Sequence, residues 1–192
     1  MMRLRLTLAC LAAALAAGCA ANSPQPRYYV LTPEARSAAP IDATAPSIAV
    51  GPVTVPEVVD RPRMVVQGPG NQVLMSEYNR WASPVRTEIA SVIGRNLTLD
   101  LGATRVWSYM QATIPNPDIQ VLVDVRRFDA TLDQGVNVDV LWAIKRKSGE
   151  PVKSGQTIVS EKAAAGYDGL VAAYSKAMAQ VSRDIAAAIR TP

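Results

Sequence analysis

Val136, Val138, Val140, Trp142 and Ile144 stand at every second position of one segment. A strand alternates its side chains between two faces, so this spacing puts all five on one face. Five large apolar side chains on one face must be covered, and a sheet with one buried face follows. The intervening positions carry Asn137, Asp139, Leu141, Ala143 and Lys145, a mixed set suited to an open face. Lys147-Ser148-Gly149-Glu150 predicts a turn into a second strand over 152–160, closing a long hairpin. The cover for this sheet is legible further on. Leu170/Val171, Tyr174, Met178, Val181, Ile185 and Ile189 recur at spacings of three and four, which predicts an amphipathic helix starting near Asp168 as N-cap. Its other face bears Lys176, Gln180, Arg183 and Asp184, too mixed in sign for adsorption to a membrane.

The remaining elements follow the same logic. Arg27–Thr32 reads as a first strand, residues 33–46 as a loop, and Ile48–Val55 as a second strand interrupted at Gly51-Pro52. Met64–Gln67 and Val73–Ser76 flank a Gly68-Pro69-Gly70-Asn71 turn. Ser83 as N-cap and Pro84 at the first helical position open a helix whose stripe is Val85, Ile89, Val92/Ile93 and Leu97, with Gly102 as its stop. Ala103–Met110 predicts a strand, Ile114-Pro115-Asn116-Pro117 a break, and Ile119–Phe128 another strand, with Leu122 the exception to its alternation. The fold class expected is α+β, a mostly antiparallel β-sheet with two helices packed on one face.

Chemistry is harder to find. The chain has no His, which removes His-based acid–base catalysis, a Ser-His-Asp triad and His-ligated metal. Two Cys cannot make a structural zinc site or a disulfide scaffold. There is no Gly-x-Ser-x-Gly, Walker motif or Gly-x-Gly-x-x-Gly. Asp118, Asp124, Asp129, Asp133 and Asp139 are scattered and read as a solvated face; the stretch 133–139 lacks the spacing of a calcium loop. The formal charge of +4 comes without any run of four basic residues, so nucleic acid is not an expected partner. The expectation is a protein with no catalytic residues, metal or cofactor.

The N-terminus gives the address. Arg3 and Arg5 precede an apolar stretch over Leu6–Ala17, too short for a span of about 20 residues. This predicts a secretory signal peptide over residues 1–18. Leu15-Ala16-Ala17-Gly18-Cys19 resembles the bacterial lipobox, although Leu stands four residues before the Cys rather than three. Cys19 is the expected site of lipidation. Cys10 would leave with the signal, so a mature chain of 174 residues carries one Cys and a charge of +2. Residues 19–26 form the lipidated end and a short tether, and residues 27–192 a single domain. A tether of seven or eight residues reaches at most ~25–28 Å, holding the domain close to its membrane. Ala20 rather than Asp follows Cys19, which in lipoproteins of this kind favours the outer membrane over inner-membrane retention.

Two clusters have the chemistry of a contact surface. Asp60, Arg61 and Pro62 follow Pro56-Glu57-Val58-Val59, and could equally be a loop in which Asp60 caps backbone N–H groups and Pro62 sets the exit direction. Arg80 and Trp81 suit interface anchors, while Trp81 could also be a core aromatic at the start of the helix.

Taken in order, Tyr28-Tyr29-Val30-Leu31, Ile48-Ala49-Val50-Gly51-Pro52-Val53, Pro56, Asp60-Arg61-Pro62, Arg80-Trp81-Ala82 and Asp184-Ile185-Ala186 cover nearly the whole mature chain. In this it resembles the ABC-type transport auxiliary lipoproteins, the PqiC/YmbA-like family. Val58-Val59 departs from the aromatic or Leu more usual there before Asp-Arg-Pro. The resemblance implies an outer-membrane lipoprotein working with an MCE-domain protein, the tunnel or needle that carries phospholipid between membranes, and with its inner-membrane component. It also implies a homo-oligomeric ring acting as a docking adaptor. On their own chemistry, Asp60, Arg61, Pro62, Arg80 and Trp81 are the candidate partner or oligomer interface. A monomeric lipid- or solute-binding lipoprotein, an envelope assembly factor and a lipid hydrolase are the competing readings.

Overall fold

The structure is a computed structural model and describes residues 24–34, 39–108, 116–147 and 153–191. The signal segment, Cys19, the Ser148–Glu150 part of the predicted turn, Val152, and the 114–115 half of the predicted break lie outside these residues. The class is α+β, with two helices and eight strands among the described residues.

The strands divide into two sheets, where one was expected. The larger takes the order β5-β2-β6-β7-β8, from β2 (Ile48–Thr54), β5 (Val106–Ser108), β6 (Ile119–Thr131), β7 (Gly135–Arg146) and β8 (Lys153–Lys162). β2 lies parallel to both β5 and β6, while β6, β7 and β8 form an antiparallel meander. The smaller sheet has the order β1-β4-β3, from β1 (Arg27–Tyr29), β3 (Arg63–Gln67) and β4 (Val73–Trp81). Here β1 runs parallel to β4 and β3 antiparallel to it. The strand expected over 73–76 runs on to Trp81, because β1 supplies a partner for Asn79–Trp81 that no local pattern reveals.

The alternation in β7 is as expected: Val136, Val138, Val140, Trp142 and Ile144 are buried. β6 is longer than expected. A bulge between Val125 and Arg127 shifts its phase, so Phe128 and Ala130 join Val121, Val123 and Val125 in the core. Helices α1 (Val85–Leu101) and α2 (Gly166–Arg190) pack on each other and on the larger sheet, α1 over β2 and β5, α2 over β7 and β8. Gly102 ends α1 with φ of 65°, and a Cβ there would sit 2.0 Å from the Pro40 carbonyl oxygen.

The two helix starts differ from expectation. Pro84, not Ser83, takes the N-cap position of α1. The Ser83 hydroxyl instead donates to Glu88 Oε1, while the Leu31 N–H donates to Glu88 Oε2 at 3.1 Å. Glu88 is buried, and a buried carboxyl needs such donors. In α2, Ala165 occupies the cap position and Asp168 lies inside the first turn. A distant residue meets the first amide: Gly166 N–H donates to Asp133 Oδ1, 2.8 Å away in the β6–β7 turn.

One glycine is set by a side chain. A Cβ on Gly155 would lie 2.3 Å from the Trp142 ring. That ring's Nε1–H donates to Thr157 Oγ1 at 3.1 Å, and the Thr157 hydroxyl donates to Asp184 Oδ2 at 2.6 Å, tying β7 and β8 to α2. Gly155→Ala is expected to push the ring off this chain and cost about 1–3 kcal/mol in urea-induced unfolding. An unchanged midpoint would mean that the ring has room to move.

Candidate functional site

The end of β4, the 56–62 loop, β1 and the start of α1 converge on one surface-open cleft of about 410 Å³. All five interface candidates line it: Asp60, Arg61, Pro62, Arg80 and Trp81. The loop that brings the first three is closed by its own backbone. Val59 N–H donates to the Pro56 carbonyl at 3.0 Å, and Arg61 N–H to the Val59 carbonyl at 2.8 Å. Trp81 N–H then donates to the Pro62 carbonyl at 2.8 Å, fastening the loop to β4.

β4 turns alternate side chains to opposite sides here. Trp81 faces inward and is only 5 % exposed. Its ring lies 6.2 Å from Phe128 and 6.1 Å from Tyr174, which stack on each other at 3.9 Å. Trp81 is thus a core residue that also lines the cleft. Burial, with Asp129 adding to it, pushes the Tyr174 phenol well above its ordinary range. It stays protonated and donates to the Phe128 carbonyl at 3.1 Å. Arg80, one residue before Trp81, points the other way. In register it is flanked by Tyr28 on β1 and Arg63 on β3.

Electrostatically the cleft is basic. Asp60 accepts two bonds from Arg86, one of them from Nε at 3.2 Å, so this carboxyl is paired with a side chain instead of capping the loop. Arg86 is mostly exposed, which limits such a pair to about 0–1 kcal/mol. Arg61 makes two long contacts, 3.4 Å each, to the Glu57 carbonyl and to Met75 Sδ. The Nε groups of both Arg61 and Arg80 are buried with no hydrogen-bond partner. Tyr28, 63 % exposed, forms the rim. Sequence reasoning did not single out Tyr28 or Arg86 for this surface, since neither is near the loop in the chain.

A second open cleft, about 430 Å³, lies on the face of the larger sheet turned away from the helices. Pro52, Leu122, Leu141 and Ala143 give it an apolar floor, and Thr54 and Asp124 a polar edge. Leu122, the exception in its strand's alternation, belongs to this face. Among the described residues, no three acidic or thiol side chains gather as a metal set, and no helix is long and apolar enough to cross a membrane.

The model of the family of ABC-type transport auxiliary lipoprotein components matches residues 29–186. No curated protein matches the chain. Among solved structures, an uncharacterized protein superposes with a TM-score of 0.68 at 22% identity, covering 86% of this chain and 99% of its own. A Xanthomonas campestris protein of the DUF330 family superposes with a TM-score of 0.62 at 18% identity, covering 83% of this chain and 92% of its own. At these identities the likeness is one of fold.

Proposed function

This chain belongs to the family of ABC-type transport auxiliary lipoprotein components, and from that premise we propose that it is the outer-membrane docking adaptor of an MCE-type phospholipid transport system. The family match across the folded domain is the observation that carries this reading. The family is defined by an auxiliary part in transport and not by a catalysed reaction. In the proposal, Cys19 carries the lipid anchor and the tether holds the domain against the inner leaflet of the outer membrane. Copies of the chain assemble into a ring that receives the end of a periplasmic MCE tunnel. The cleft of Asp60, Arg61, Pro62 and Arg80, with Trp81 beneath, is the proposed contact surface. Its polar groups and open form suit recognition of a partner.

The test is the mass in solution of the chain from Asn22 onward, by light scattering, alone and with a purified MCE-domain protein from the same organism. A defined oligomer that captures the MCE protein is expected. A monomer that captures nothing would sink the adaptor reading and favour a solitary binding protein.

A further inference from the structure

The cleft beside Tyr28 holds more positive charge than its own carboxyl can answer. Arg61, Arg80 and Arg86 line it, Arg63 adjoins Arg80 across the sheet, and the one lining carboxylate, Asp60, is taken by Arg86. None of Arg61, Arg63 and Arg80 is in an ion pair among the described residues. Two buried Nε–H donors, on Arg61 and Arg80, lack an acceptor, and a buried donor left unpaired is destabilising. An anion with several oxygens is the chemistry that would satisfy them, because a guanidinium presents its donors as a planar fork. The wall of the cleft is apolar: Tyr28, Pro62, Trp81 and Pro84. A small inorganic anion has no use for such a wall, whereas an amphiphile does.

We propose that this cleft takes the phosphate group of a glycerophospholipid headgroup, with the phosphate on Arg61 and Arg80 and the glycerol end against Tyr28 and Trp81. The volume of about 410 Å³ falls in the ~300–1,000 Å³ range of small-molecule clefts. Position favours the lipid over free phosphate. Tyr28 is nine residues from Cys19, so it lies at most ~31 Å along the chain from the anchor. The membrane as source rests on the reading of Cys19 as that anchor; the anion site does not.

The test is calorimetric titration of the full chain in non-ionic detergent with four probes: dihexanoyl-phosphatidylglycerol, glycerol 3-phosphate, inorganic phosphate and dihexanoylglycerol. Saturable binding of dihexanoyl-phosphatidylglycerol is expected, with inorganic phosphate at least about tenfold weaker and dihexanoylglycerol silent. Arg61→Gln and Arg80→Gln should each weaken binding about tenfold, Arg63→Gln less, and Arg126→Gln, exposed on β6, not at all. Arg63 is exposed, so its variant keeps the test readable if an Arg61 or Arg80 variant folds poorly. Equal binding of dihexanoylglycerol, or unchanged binding when both Arg61 and Arg80 are replaced, overturns the proposal. Inorganic phosphate binding as tightly as the lipid overturns the lipid assignment in favour of a free-phosphate site. No phosphate probe binding, with loss of MCE-protein capture in the double variant, overturns it and leaves the cleft to the protein contact of the proposed function alone. Intact mass at Cys19 reports separately on the anchor: an unacylated chain that still binds the short-chain lipid removes the membrane as source and leaves the site.

Discussion

Trp81→Ala is expected to lower the free energy of unfolding by about 3–5 kcal/mol, the range for truncating a large buried aromatic. The ring fills the space beside the stacked Phe128 and Tyr174, where the smaller sheet meets β6 and α2. Removing it leaves a cavity bounded by rigid elements on several sides, so little collapse can offset the loss. For a chain of this length the melting temperature should fall by about 6–20 °C. Trp81→Phe keeps most of the volume and should cost much less. The comparison separates two roles. If Trp81→Ala leaves stability intact but abolishes partner capture, the residue is a contact group and not a core group. If stability falls while Trp81→Phe restores both folding and capture, the core role accounts for everything.

Cys19→Ala should have the largest effect on location. The proposed anchor carries several acyl chains, each buried CH₂ contributing about 0.8 kcal/mol, so its loss is not offset by any weak surface adsorption. The polar face of α2 is of mixed sign, and no described helix can span a bilayer. The expected result is transfer of the protein from the membrane fraction to the soluble or unprocessed fraction, with the fold itself unchanged, because Cys19 precedes the first strand, Arg27–Tyr29. Retention of Cys19→Ala in the outer-membrane fraction at wild-type levels would defeat the anchor reading. The same outcome would draw attention to the arginine cleft as a second membrane contact.

The two variants probe features that differ in how they can be read. The proposed anchor is read from a local signal: charge, an apolar run, small residues and a thiol in sequence. Trp81 is ambiguous in sequence because Arg80-Trp81 suits either a surface or a core. Alternation along β4 resolves it, turning Arg80 outward beside Tyr28 and Trp81 inward against Phe128. That alternation could not be applied beforehand, since β4 was expected to end at Ser76. The extension depends on β1, which arrives from a segment some fifty residues away. The cleft has the same origin. Asp60, Arg61 and Pro62 were legible as one cluster and Arg80 and Trp81 as another. Their meeting depends on the bond from Trp81 N–H to the Pro62 carbonyl and on the Asp60–Arg86 pair.

The sequence by itself determined the α+β class, the β7 strand with its buried face, the two amphipathic helices and the Gly102 stop. Each rests on a periodicity or a backbone preference contained within a few residues, and burial of one face enforces it. Only the tertiary structure decided the division into two sheets, the parallel pairing of β2 with β5 and β6, and the helix starts. Glu88 draws Ser83 away from capping, and Asp133 meets the first amide of α2 from a turn over thirty residues earlier. Strand partners and caps of this kind are chosen by packing between distant segments. A local pattern says that a face must be covered, but not by what.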